Sequence, residues 1–164
     1  MKEVFDMIVG CLRDSRTFPT IAESDGSFEN WILWEAYAAC TTRGHKCSVT
    51  PRYQDSNKRG DLLVRRVDGH DIMIEFKIIG DCTQDKYIHA INDDYRKLES
   101  LATGIEPCRG LLIVVMTSPI GNILKRPSWT DWLPRLEFWV KPSLKYQFYF
   151  GKQGQALIYG WPVV

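Results

Sequence analysis

Histidine is scarce in this chain. It occurs three times in 164 residues, at positions 45, 70 and 89, with none of the spacings a zinc site uses. The five cysteines, at 11, 40, 47, 82 and 108, are odd in number and form no C-x-x-C pair. That excludes a disulfide scaffold and argues for reduced thiols in a cytosol-like compartment. Nothing places a base beside any one thiol, so a Cys/His nucleophile has no support. No apolar run approaches the ~18 residues of a membrane-spanning helix, and no membrane association is expected. Residues 1–10 carry Glu3 and Asp6 and lack the basic-then-apolar layout of a secretory signal, so the expected location is cytoplasmic. Internal repeats, low-complexity tracts and linkers are also missing. What remains is the composition of one ordinary domain over residues 1–164, 45% hydrophobic and 25% charged. A chain of this size buries a sizeable core without help from disulfides or a structural metal.

The net charge of +1 conceals an uneven distribution. Residues 1–42 hold three Lys/Arg against seven Asp/Glu. Residues 43–66 hold seven (Arg43, Lys46, Arg52, Lys58, Arg59, Arg65 and Arg66) against Asp55 and Asp61. A second basic block, residues 125–152, includes Lys125, Arg126, Lys141 and Lys145. Such blocks are either a solvated mixed-sign surface or the footprint of a polyanion.

Hydrophobic periodicity sets the expected elements. Val4, Phe5, Ile8, Val9 and Leu12 recur at helical spacing and predict an amphipathic helix over residues 1–14. Pro19 and Ser24-Asp25-Gly26-Ser27 separate it from a second helix over about Phe28 to Thr42, with Ser27 as N-cap, Glu29 in its first turn and Gly44 near its end. Cys47 to Tyr53 reads as a short strand. Asp61 to Val67 and Asp71 to Ile79 flank Asp68-Gly69, a strong hairpin signal. Gln84 to Ala102 reads as a helix. Gly110 to Met116 is a continuous apolar run, the pattern of a strand buried on both faces. Weaker strands are predicted near Leu136–Val140, Tyr146–Phe150 and Ala156–Tyr159. The expected fold is α/β, a mixed central β-sheet flanked by helices, with a core over about residues 27–116 and a β-rich C-terminal extension over about residues 118–164.

Three acidic residues and a lysine stand out against this apolar background. Asp71 to Ile79 would be an interior strand but for Glu75 and Lys77, which alternation places on one face with Met73 and Ile79. Charges in an apolar strand are costly unless paired, hydrogen-bonded or metal-bound. Asp61 opens the partner strand just after Lys58-Arg59-Gly60, and the hairpin can bring it near Glu75. Glu35 lies in Trp31-Ile32-Leu33-Trp34-Glu35-Ala36-Tyr37-Ala38-Ala39-Cys40, where its neighbours one turn away are all apolar. It is either a helix-surface residue or a further carboxylate facing Asp61 and Glu75.

Glu35, Gly60-Asp61 and Glu75-Phe76-Lys77, with a helix before, a hairpin within and a helix-strand pair after, resemble the PD-(D/E)XK nuclease superfamily. Restriction endonucleases and Holliday-junction resolvases belong to it. The resemblance covers about residues 27–116 and implies an αβββαβ restriction-endonuclease-like core. Gly60 stands where the family name has proline, and the helix from Gln84 lacks the Gln-x-x-x-Tyr pattern of the RecB-like branch.

The resemblance implies a metal-dependent nuclease that hydrolyses phosphodiester bonds, with DNA the favoured substrate and Mg²⁺ the cofactor, Mn²⁺ substituting. Its core residues would be Asp61, Glu75 and Lys77, with Glu35 in support. Asp61, Glu75 and the Phe76 carbonyl would hold the metal, since a hard divalent ion takes carboxylate and carbonyl oxygens. Arg52, Lys58 and Arg59, and more weakly Arg96 and Lys97, are the candidates for contact with backbone phosphates. A homodimer is expected if both strands are cut, because that takes two sites. Trp129, Trp132, Trp139 and Trp161 would stack bases, form a protein interface or pack the core. Two other functions suit the same residues: a catalytically silent nuclease-fold protein that works by binding, and an RNA-cleaving toxin domain.

Overall fold

The computed structural model describes residues 1–24, 28–53, 58–65, 71–80, 84–103, 108–139 and 142–163. At its centre is an open, mixed sheet of six strands in the order β1-β2-β3-β4-β6-β5. The strands are β1 (Lys46–Val49), β2 (Leu62–Arg65), β3 (Asp71–Ile79), β4 (Cys108–Ser118), β5 (Leu144–Phe150) and β6 (Gly154–Val163). β3 and β4 run parallel, and the other neighbours pair antiparallel. The helices are α1 (Lys2–Asp14), α2 (Phe18–Ala22), α3 (Glu29–Thr42), α4 (Asp85–Glu99) and α5 (Pro127–Thr130).

β4 shows why the sheet has two cores. Its residues Leu111 to Met116 are all fully buried. Successive side chains point to opposite faces, so Leu111, Ile113 and Val115 join α1, α2 and α3 while Leu112, Val114 and Met116 join α4 and the C-terminal segment. α1 delivers Val4, Phe5, Ile8 and Leu12 to the first core from one stripe, as its spacing predicts. α4 covers the second core with Ile88, Ile91 and Leu98. It crosses so closely that a Cβ on Gly110 would lie 2.8 Å from the Leu98 Cβ.

Several boundaries differ from the expectation. Pro19 does not interrupt the chain there. It occupies the first turn of α2, where a missing N–H costs nothing. The strand expected over Cys47 to Tyr53 stops at Val49, because Thr50 takes φ +47° and turns the backbone. Pairing then resumes as a lone bridge between Arg52 and Arg59. Leu136–Val140 is not a strand over its described part. Pro127 opens α5, Pro134 lies in a 3₁₀ turn over Leu133–Arg135, and both prolines favour helical φ over an extended ladder. The chain instead wraps over α4, with Phe138 stacked on Tyr95 at 4.0 Å. Ser27 and the Asp68-Gly69 turn lie outside the described residues.

The C-terminal aromatics belong to the core. Trp129, Trp132 and Trp161 are buried in the cluster beneath α4, and Trp139 is half-buried against Tyr159 and Trp161. That leaves Trp129, Trp132 and Trp161 unable to stack bases or meet a partner. Deleting the fully buried Trp129 side chain opens a large void. Trp129→Ala is expected to cost about 3–5 kcal/mol in urea unfolding, whereas a loss under about 1 kcal/mol would show a surface role.

Candidate functional site

The β2–β3 register, Leu62 opposite Ile74 and Val64 opposite Ile72, extends by one rung to bring Asp61 opposite Glu75. Two backbone bonds fix that end: the Asp61 N–H donates to the Ile74 carbonyl at 3.3 Å, and the Phe76 N–H donates to Asp61 Oδ2 at 2.8 Å. The Glu75 and Asp61 carboxyls lie close enough to act on each other's protonation. Tyr53 donates its hydroxyl to Glu75 Oε1 at 2.6 Å. Glu75 is only 3% exposed.

Lys77 follows on the same face. Its Nζ lies 3.2 Å from Glu29 Oε1 and 3.0 Å from Asp94 Oδ2. Glu29 is the first residue of α3, and Asp94 sits on the inner side of α4 between Ile91 and Leu98. One turn along, Lys97 pairs with the other oxygen of Asp94. Six ionisable side chains from three elements and one turn therefore converge around the middle of β3, where its pairing with β2 ends. Four are carboxyls (Glu29, Asp61, Glu75, Asp94) and two are ammonium groups (Lys77, Lys97). Fully ionised, they carry an excess of two negative charges.

Protonation follows from that excess and from burial. Burial pushes Glu75 up to about 8; the Tyr53 hydroxyl opposes the shift, and the charges on Asp61 and Asp94 add to it. Asp61 is also raised by burial, against the pull of the Phe76 N–H and Lys77. Glu29 rises by burial despite Lys77 beside it. For Lys77, burial acts to remove the proton, but Asp94 and Glu29 outweigh it and the net shift is upward. It is an ammonium across the physiological range and acts as a charge, not as a base.

Not every expected residue reaches this cluster. Glu35 does not. Six residues beyond Glu29, it lies about 9 Å further along the helix axis and well round the cylinder. It faces α1, where the Cys11 thiol donates to Glu35 Oε2 at 3.3 Å. The carboxylate that α3 brings to the site is Glu29, the first residue of the helix, which meets Lys77. Arg96 points away as well, held 3.1 Å from Asp93 and bonded to Glu137 of the C-terminal segment. Lys97 is inside the cluster. Arg52, Lys58 and Arg59 are exposed on the arm that carries Asp61.

Glu29, Asp94 and Tyr53 were not expected. Asp94 had a signal: Ile91, Asp94 and Leu98 fall on one helical stripe, so a charge there is buried. For Glu29 and Tyr53 the sequence offers no comparable cue. A groove of about 810 Å³ opens elsewhere, between α1, the later part of α3 and β5, and none of the clustered carboxyls lines it.

Comparison with protein-family models, with curated proteins and with solved structures finds no match to this chain. The chemistry therefore has to be argued from the cluster itself. Among the described residues no three His, Cys, Asp or Glu side chains form a ready cage for a metal. Mg²⁺ does not require one, since it keeps waters and takes one or two carboxylates plus substrate phosphate. The paired oxygens of Asp61 and Glu75 fit that demand, and their surplus charge is what a divalent ion would relieve.

The raised Glu75 carboxyl has a consequence for stability. Between its ordinary 4.5 and about 8 the folded state keeps a proton that the unfolded chain releases, so this group's stabilisation is lost as pH rises through that window. Glu75→Gln removes the titration and keeps an acceptor for Tyr53. In urea unfolding the variant's advantage over wild type is expected to grow from about pH 5 to roughly 1–3 kcal/mol at pH 8. Parallel pH profiles for the two proteins would contradict the assignment.

Proposed function

We propose that this protein is a metal-dependent nuclease that hydrolyses phosphodiester bonds, with DNA as the favoured substrate. In this reading α3, β1, β2, β3, α4 and β4 form the αβββαβ core of a restriction-endonuclease-like fold. The parallel β3–β4 pair joined by α4, beside an antiparallel β1–β2–β3 sheet, supports that reading. The observation that carries it is the meeting of Asp61 with Glu75 at the end of two paired strands, with the charged amine of Lys77 on the same face.

Asp61 and Glu75 would hold Mg²⁺, or Mn²⁺ in its place, with the Phe76 carbonyl as a further donor by resemblance. When bound, the ion polarises the scissile phosphate and lowers the pKa of water. The protein's own groups do the remainder. The Phe76 N–H fixes one oxygen of Asp61 and so aims the other. Tyr53 orients Glu75 from beneath. The Lys77 ammonium is held rigid by Glu29 and Asp94, and it can orient the attacking water and offset charge developing on phosphorus. Rigid charges aimed at the reacting centre need no reorganisation during the reaction, which is the physical value of so costly a cluster. Glu29 and Asp94 are thus positioning residues that act through Lys77.

Incubation of supercoiled plasmid, branched DNA, single strands and tRNA with Mg²⁺, and with a chelator instead, tests the reading. Wild type is expected to cut DNA only with the metal. Asp61→Asn, Glu75→Gln and Lys77→Met are each expected to lose at least about 100-fold in rate while still folding. Full cleavage by Glu75→Gln would rule out the site. Cutting of tRNA alone would move the substrate to RNA, and no cutting of any substrate would leave a silent binding protein.

A further inference from the structure

β5 forms one edge of the sheet. It is seven residues long, Leu144–Phe150, and it pairs with β6 on one side. Among the described residues no backbone bond leaves its other side. A bare row of N–H and C=O groups is a template for another strand, and proteins usually blunt it. The opposite edge of this sheet is blunted. β1 has four residues, opens on Lys46, and gives way to Thr50 at φ +47°, which turns the backbone. β5 has no proline, an unbroken register with β6, and one charged residue, Lys145.

The side chains of β5 are also only partly covered. Leu144, Tyr146 and Phe148 face the core beneath α1 and α2, with Phe148 5.1 Å from Phe18 and 6.4 Å from Tyr146, yet all three are half-buried. A sheet covers such side chains from both flanks, and beyond β5 one flank has no strand. On the other face Lys145, Gln147 and Tyr149 are exposed, Tyr149 by 72%. Gln147 donates to the Tyr149 hydroxyl at 3.0 Å, so this face is ordered without being covered.

The sequence of β5 is complementary to itself. An antiparallel copy related by a two-fold axis at Gln147 pairs all seven residues. Leu144 then faces the second copy's Phe150, Lys145 its Tyr149, Tyr146 its Phe148, and Gln147 its Gln147. Directly opposite residues share a face, so apolar groups meet on the α1 side and an ammonium meets an aromatic ring on the other. Lys145 Nζ already lies 5.5 Å from the ring of its own Tyr159, and the new ring adds to that attraction. No like charges meet: the two Lys145 side chains stand four residues apart, about 13 Å along the strands. Arg13, which donates to the Tyr146 hydroxyl, is paired with Asp14 in its own copy. Such a contact is isologous and closes at two copies. We propose that β5 is the interface between two copies of this chain, which join edge to edge into one continuous sheet. The two-fold axis keeps α4 and the carboxyl cluster of both copies on the same side of that sheet. The proposal does not rest on the nuclease reading. Seven rungs make a small interface, so association belongs in the micromolar range.

Sedimentation equilibrium over about 1 to 200 µM protein tests this, in buffer of about 50 mM salt where charge effects are clear. Wild type is expected to pass from the monomer mass to twice that mass. Each altered rung occurs twice in the dimer. Tyr149→Lys sets ammonium against ammonium and is expected to weaken association about 3- to 30-fold. Gln147→Lys places like charges on the axis, and the double variant Gln147→Lys/Tyr149→Lys is expected to stay monomeric. Tyr149→Glu instead offers Lys145 a carboxylate and should associate at least about tenfold more tightly than Tyr149→Lys. Ser48→Lys, on the opposite edge, should match wild type. Thermal unfolding of the dilute proteins checks folding, and if the double variant is unfolded the contrast between Tyr149→Glu and Tyr149→Lys decides. A wild type that stays monomeric throughout would overturn the interface, as would a double variant that dimerises like wild type or a dimer lost in Ser48→Lys. Masses that grow beyond two copies would overturn the closed pairing. Equal weakening by Tyr149→Glu and Tyr149→Lys would overturn the register.

Discussion

The clamp on Lys77 is the interaction on which the site depends. Its ammonium meets Glu29 from the start of α3 and Asp94 from the inner face of α4, so one side chain on β3 ties together helices from both faces of the sheet. Asp94 in turn holds Lys97. A buried charge without partners would be intolerable at this depth, and a buried pair that loses one member is strongly destabilising. The helices are thereby fixed relative to the middle of β3, where Glu75 meets the turn that carries Asp61.

The same cluster is overloaded. It holds two more acids than bases, and the fold accommodates them by keeping a proton on Glu75. Structural economy alone would favour apolar residues here, since well-packed hydrophobic groups commonly match or exceed a buried ionic network in stability. The repulsion is stored among the four carboxyls, with the ammonium groups of Lys77 and Lys97 offsetting only part of it. That arrangement suits a site whose missing positive charge is supplied from outside, by a divalent cation.

Much of this was legible in the sequence. β3 falls on Asp71–Ile79 as predicted, because its alternation and hairpin flank leave little choice. β4 was betrayed by an unbroken apolar run, and α1 by its stripe. The pairing of Asp61 with Glu75 followed from hairpin register, a local property. Glu35 was misplaced because an apolar helix gives no cue to which side faces the strand end. That is decided by the angle at which α3 packs on α1 and the sheet. Glu29, at the helix's first turn, carries no periodic signal at all. The segment around Leu136 to Phe138 alternates like a strand, yet Pro127 and Pro134 and the aromatic packing under α4 outweigh that pattern.

A direct test of the central claim, that Asp61 and Glu75 form a site for a hard divalent ion, is titration of the protein with Mn²⁺, following free Mn²⁺ by electron paramagnetic resonance. The account predicts saturable binding to wild type, lost in Asp61→Asn and competed by Mg²⁺. Absence of binding to wild type, or equal binding by Asp61→Asn, would contradict it.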